Sequence, residues 1–371
     1  MKKTPIRNLH NRLDDLRFTS VEYGTTNANA SISKNSEKSP VAYPLFFTPI
    51  YKQALWGGGM QKFRNHTPST SEPISESWEI SDRPGSQSII SNGPLMGKSI
   101  RKLIKLYPQD LVGRGHKANQ PFPLLIKIID AAKDLSLQVH PSEEVCKKIP
   151  GTESKTECWY VLDCKENAKI MSSAKETAKI EDFKKNARSQ KVAKLMNSHN
   201  SRKDDFYFIP ANTMHAIGAG NLIFEIQQNS NTTFRLSDWG RLDQNGKERE
   251  LHVSQALKCL AYKREYGIEK IITRKLSPVV IPRNIYSFSE LTNLVKCDFF
   301  NVNKLHMCGT VSCFNSFRSC MSLFALDDDI KIEHRGNYYD LKKFRTCLIP
   351  ACLSQIKIHA PKHSNLIITS L

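Results

Sequence analysis

The sequence predicts a mainly β protein built from two barrel-like units, and three observations carry that reading. Short apolar runs with period-two alternation recur along the chain; turn clusters such as Arg83-Pro84-Gly85 and Ser91-Asn92-Gly93-Pro94 separate several of them; and helical periodicity is confined to a few short segments. In chain order, residues 1–42 are rich in Ser, Asn, Thr and Lys, with few large apolar residues after Phe18, so a disordered extension is expected there. Strands follow at 77–81, 87–90, 124–129 and 135–140, with a short helix over 100–106 that must end before Pro108. A basic amphipathic stretch at 175–197, with Ile180, Phe183, Ala187, Val192 and Leu195 on its apolar side, reads as a helical insert. Strands return at 206–209, 221–228 and 232–236, and a helix is expected at about 254–262. Beyond a linker near 263–280, short strands such as 320–326 and 365–370 continue to the end. Many short strands with turn breaks mean sandwich or barrel architecture. The expected division is 1–42, 43–265 and 266–371.

Composition narrows the function classes. A chain of 371 residues, 39% of them hydrophobic, can bury a substantial core. No apolar run approaches the ~18–20 residues of a membrane span. Met1-Lys2-Lys3-Thr4 is followed by no apolar core, so a cytoplasmic protein is expected, with its ten cysteines as free thiols. The net charge is +18, and residues 165–203 hold eleven Lys/Arg against four Asp/Glu. No nucleic-acid signature accompanies that charge, so a solvated face is the expected role, and no nucleic-acid or membrane partner is inferred. A monomer is favoured.

The residues richest in chemistry are Gln138, His140, Glu157 and His215. In Leu137-Gln138-Val139-His140, alternation puts Gln138 and His140 on one face of a strand. Glu157 opens the strand-like Glu157-Cys158-Trp159-Tyr160-Val161, and His215 follows a strand and a Pro-led turn. Two imidazoles, a carboxylate and an amide oxygen form a ligand set suited to zinc, with room for a substrate oxygen.

These residues lie in an ordered set of motifs: Lys52-Gln53-Ala54-Leu55-Trp56-Gly57-Gly58, Glu76-Ser77-Trp78-Glu79-Ile80-Ser81, Gln138-Val139-His140-Pro141, Lys155-Thr156-Glu157-Cys158-Trp159-Tyr160, Pro210-Ala211-Asn212-Thr213-Met214-His215, Glu225-Ile226-Gln227-Gln228 and Thr232-Thr233-Phe234-Arg235. Over about Tyr43 to Leu371 the chain resembles the type I mannose-6-phosphate isomerases of the cupin superfamily, in their short bacterial form. The resemblance implies two cupin-like jelly-roll barrels and an interconversion of mannose 6-phosphate and fructose 6-phosphate through an enediolate. It implies one zinc ion per chain on Gln138, His140, Glu157 and His215. It also implies catalytic roles for Arg235, Glu225 and Lys155, and substrate contacts for Lys127 and Ser136. Glu225 is the first choice of base and Lys155 the second.

Some positions depart from the family pattern. Asn212 replaces a turn glycine, Asn231 replaces an aspartate near Arg235, and Phe344-Arg345 replace the Gly-Asp of a turn in the second barrel. The spacings of Cys297, Cys308, Cys313, Cys320, Cys347 and Cys352 hint at a second zinc site, but free thiols are the expected state. Two other readings stay open: a degenerate sugar-phosphate sensor without turnover, and another cupin metalloenzyme.

Overall fold

The computed structural model describes residues 16–19, 38–58, 74–242, 246–266, 279–280, 288–315 and 319–371. Among them, strands form sheets of eleven, six, five and two members, joined by a few short helices. The chain is mainly β, as its patterning predicts.

The six-stranded sheet runs Phe206–Ile209, Glu157–Cys164, Asn221–Gln228, Leu124–Ala131, Ile74–Ile80, Ile50–Gln53, all neighbours antiparallel. Every residue of Leu124–Ala131 is buried, which is why that strand reads as an apolar run interrupted only by Lys127 and Asp130. Both faces are covered. On one, Ile126, Ile128, Cys158, Tyr160, Phe224 and Ile226 pack into the core shared with the C-terminal sheet. There Phe224 stacks on Phe324 with ring centroids 3.9 Å apart. The opposite face carries Glu157, Trp159, Glu225 and Lys127, which the register sets beside one another.

The five-stranded sheet runs Met196–Asn200, Lys169–Ala174, His215–Ile217, Leu137–Val139, Phe234–Ser237. Its outer face (Leu137, Val139, Met214, Ala216, Phe234, Leu236) is covered by Phe183, Val192 and the helix Val253–Tyr266 through Ala256, Cys259 and Leu260. Its inner face meets the six-stranded sheet over Ile170, Ile217, Trp159, Val161 and Ile223. Two sheets closing on one apolar interior make a jelly-roll-like sandwich whose polar end carries the candidate ligands.

The third sheet holds the C-terminal strands, with Asn301–Asn315 and Gln355–Ser370 paired along most of their length. Leu45–Thr48 also belongs to it, pairing with Thr346–Ile349 on one side and Ile89–Ile90 on the other. Leu16–Thr19, within the segment expected to lack structure, pairs with residues 312–315.

Local signals account for the connecting pieces. Ser99 caps the helix Ile100–Leu106, and Tyr107-Pro108 ends it where the sequence predicts. The insert at 175–197 is not one helix. It breaks into Ile180–Asn186 and a 3₁₀ turn Gln190–Leu195, because its ends must return to pair as Lys169–Ala174 and Met196–Asn200. Phe183, Ala187 and Val192 still face inward, and all eleven basic side chains between 165 and 203 are exposed. Asn212 adopts φ 62° and Phe344 φ 56°, the left-handed geometry the replaced turn glycines would supply. None of the ten cysteines, all among the described residues, is in a disulfide. No helix among the described residues is long and apolar enough to cross a membrane.

Candidate active site

The register brings together residues scattered over a hundred positions. In the five-stranded sheet His215 lies opposite Gln138, and Gln138 opposite Arg235, so all three side chains share the inner face. Ser136 and His140, two positions either side of Gln138, join them. In the six-stranded sheet Trp159, Glu225, Lys127 and Trp78 form one cross-strand row, with Glu157 one step along.

Where the two inner faces meet, His140, Glu157 and His215 converge, all buried, with donor atoms within 4.8 Å of one another. Glu157 Oε2 lies 3.4 Å from His140 Nε2, and Oε1 lies 3.3 Å from His215 Nε2. Backbone carbonyls fix both rings: His140 Nδ1 meets Thr232 O at 2.8 Å, and His215 Nδ1 meets Thr213 O at 2.8 Å. Each Nδ1 therefore carries the proton and each Nε2 presents its lone pair to the centre, the tautomer a metal needs. His140 Nε2 and Glu157 Oε1 are buried without a hydrogen-bond partner, an expensive arrangement for a site with nothing to fill it. The donor set fits a divalent metal.

Gln138 stands beside this triad. Its Nε2 is 3.4 Å from His215 Nε2, and its Oε1 accepts from Ser136 Oγ at 3.1 Å. A half-turn of the amide exchanges those two atoms, so the oxygen can face the triad as well.

The charges around the triad are set by burial and by one another. Burial, with Lys155 nearby, lowers the His140 pKa, and burial pushes His215 down to about 3, so both imidazoles are neutral at physiological pH. For Glu157, burial opposes ionisation, but the neighbouring Lys155 ammonium outweighs it and holds the carboxyl well below its usual range. Lys155 Nζ sits 2.7 Å from Glu157 Oε2. Next to this group lies a second ionic cluster. Lys127 Nζ is 2.7 Å from Glu225 Oε2 and 3.5 Å from Glu76 Oε2. Burial would lower the Lys127 pKa, but Glu225 and Glu76 reverse it, so the ammonium stays charged. Burial raises the carboxyl of Glu225, against the pull of Lys127.

A family model, "Phosphomannose isomerase type I, catalytic domain", matches residues 45–153. The probable mannose-6-phosphate isomerase GmuF of Bacillus subtilis (strain 168) is 31% identical over 319 residues, 86% of this chain and 96% of that protein. The chain belongs to the type I mannose-6-phosphate isomerases. This is a family of aldose–ketose isomerases. Mannose-6-phosphate isomerase ManA of the same bacterium is 30% identical over 322 residues, 85% of this chain and 95% of that one. A crystal structure of the Bacillus subtilis mannose 6-phosphate isomerase superposes with a TM-score of 0.75 at 28% identity, covering 88% of this chain and 99% of that one. A putative mannosephosphate isomerase from Archaeoglobus fulgidus, 18% identical with a TM-score of 0.67, shares the fold.

Against the sequence-derived set, the structure gathers Gln138, His140, Glu157, His215, Lys155, Lys127, Glu225 and Ser136 into this one region of the barrel. Arg235 shares the inner face but makes no ion pair with Asp238, three residues on. Its Nη1 donates to Glu250 O at 2.8 Å, while Asp238 pairs with Arg241 and Arg249. Arg235 Nε is buried without a hydrogen-bond partner. Sequence reasoning passed over Glu76, which braces Lys127 and accepts from Trp78 Nε1 at 2.6 Å. Its signal was available: Glu76 precedes Trp78 by two on one strand, so the two share a face. Trp159, two after Glu157, was passed over for the same reason; a buried aromatic reads as core.

Proposed function

We propose that this chain interconverts mannose 6-phosphate and fructose 6-phosphate, with one zinc ion held by His140, Glu157, His215 and Gln138. The observation that carries the proposal is the buried triad of His140, Glu157 and His215, preset for a cation and flanked by two acid–base pairs. Zinc, when bound, supplies a Lewis acid for negative charge developing on the substrate's carbonyl oxygen.

The remaining chemistry falls to the side chains. Moving a proton between C1 and C2 through an enediolate requires a base beside those carbons. Glu225 fills that role in this reading: burial raises its basicity, and Lys127 keeps it ionised. Lys155, paired with Glu157, is the alternative. Arg235 retains a buried Nε–H for an anionic substrate oxygen. Lys127, on the six-stranded sheet, and Ser136, beside Gln138 on the five-stranded one, are assigned to holding the substrate.

The test is a coupled assay on zinc-loaded protein converting mannose 6-phosphate, with wild type, His140→Ala, Arg235→Ala, Glu225→Gln and Lys155→Met side by side and zinc measured on each. His140→Ala should lose zinc and activity together; Arg235→Ala should keep zinc and lose rate. The larger loss between Glu225→Gln and Lys155→Met assigns the base. A wild type that holds zinc but does not turn over sinks the isomerase reading and leaves a sugar-phosphate sensor.

A further inference from the structure

Glu153 lies four positions before Glu157, with its side chain 48% exposed, and on exposure alone it is an ordinary solvated acid. Its contacts say otherwise. Arg83 Nη1 reaches Glu153 Oε1 at 3.0 Å and Oε2 at 2.9 Å. The backbone amide of Asn231 donates to Glu153 Oε2 at 3.1 Å. Glu153's own amide donates to Thr232 Oγ1 at 2.9 Å, and its carbonyl accepts from Ser230 Oγ at 3.2 Å. Arg83 Nη1 also donates to Asn229 O at 2.8 Å. Four consecutive residues, 229 to 232, are thus each held by Glu153 or by the arginine paired with it.

That turn has a specific task. Its last residue, Thr232, offers the carbonyl that takes the His140 Nδ1 proton at 2.8 Å. The bond both aims the ring and leaves the lone pair on Nε2, facing Glu157. Displacing the carbonyl by a few tenths of an ångström would loosen both effects.

We infer that Glu153, braced by Arg83, is a positioning residue for the metal ligand His140, acting through the 229–232 turn. The inference rests on the metal reading above. Exposed ion pairs contribute little to stability, so this pair's effect should appear in metal affinity rather than in folding. The essential element is an acceptor for the Asn231 N–H, which a carboxylate or an amide provides and a guanidinium does not.

The test is competition for zinc against a chelating dye, run on wild type, Glu153→Ala, Glu153→Gln and the pair swap Arg83→Glu with Glu153→Arg. Glu153→Ala should raise the zinc dissociation constant about tenfold, the lower end of the range for groups that orient metal ligands. Glu153→Gln should recover part of that loss. The swap restores opposite charges but no acceptor, so it should bind zinc as weakly as Glu153→Ala. Hydrogen exchange at the Asn231 amide should quicken in Glu153→Ala and in the swap. Wild-type affinity in Glu153→Ala, or full recovery in the swap, overturns this inference alone. A wild type that binds no zinc overturns it together with the metal reading.

Discussion

Trp159 and Glu225 face each other across adjacent strands, and the indole Nε1–H donates to Glu225 Oε1 at 2.8 Å. The same indole meets the His215 ring edge-on, with centroids 5.3 Å apart. One fully buried side chain thus touches both a candidate metal ligand, His215, and the candidate base. With Lys127 on its other oxygen, Glu225 is fixed from two sides.

Trp159→Phe keeps most of the packing and removes only the donor. Losing a buried hydrogen bond to a charged group costs about 1.5–3 kcal/mol. If half of that falls on the transition state, kcat drops about three- to tenfold while KM and zinc content stay near wild type. Steady-state kinetics with metal analysis on the same preparation decide it. An unchanged kcat would remove Trp159 from the mechanism.

Lys127→Met leaves Glu225 buried without its cation, which should cost about 3–5 kcal/mol near neutral pH. The pH dependence has a definite sign. Burial already raises the Glu225 carboxyl above its ordinary range, and losing Lys127 raises it further. Between the unfolded and folded values the native state binds the extra proton, so stability falls as pH rises through that window. The variant should therefore melt higher at pH 5 than at pH 8, by a wider margin than wild type. Scanning calorimetry at the two values checks the sign.

Much of this was legible in the sequence because period-two alternation is a local signal. The strand Asn221–Gln228 and the helix Ile100–Leu106 have the bounds that the apolar pattern and Pro108 predict. Alternation also put Gln138 and His140 on one face, and both side chains do meet at His215. What stayed hidden depends on pairing between distant strands. Nothing near Glu76 announces Lys127, and nothing near Glu153 announces Thr232. The insert at 175–197 misled for a related reason: its helical periodicity is real, but the return of Met196–Asn200 to Lys169–Ala174 is a long-range demand. Asn231, expected to matter through a missing charge near Arg235, is exposed and engaged through its backbone by Glu153.

Phe324→Ala tests the coupling of the two β units without touching the pocket. Its ring stacks on Phe224 at 3.9 Å and lies 6.3 Å from Phe344. Truncating a fully buried phenylalanine costs about 3–5 kcal/mol. Denaturant unfolding should show that loss, while kcat of the folded fraction stays within about twofold. A large fall in kcat would mean that the C-terminal sheet shapes the active site through the back of Asn221–Gln228.

Asn212 offers a ranking rather than a single value. Its φ of 62° disfavours residues with a Cβ, its side-chain oxygen accepts from Ser142 N at 2.9 Å, and its own amide donates to His140 O at 2.7 Å. Asn212→Gly relaxes the backbone but loses the side-chain acceptor, for a net cost of about 1–2 kcal/mol. Asn212→Ala loses the acceptor and keeps the left-handed strain, which together cost about 2–4 kcal/mol. Melting curves should order wild type above Gly and Gly above Ala. Because the turn holds the backbone of His140, zinc affinity should follow the same order, and an alanine variant as stable as the glycine one would show that strain at this turn is not what selects the residue.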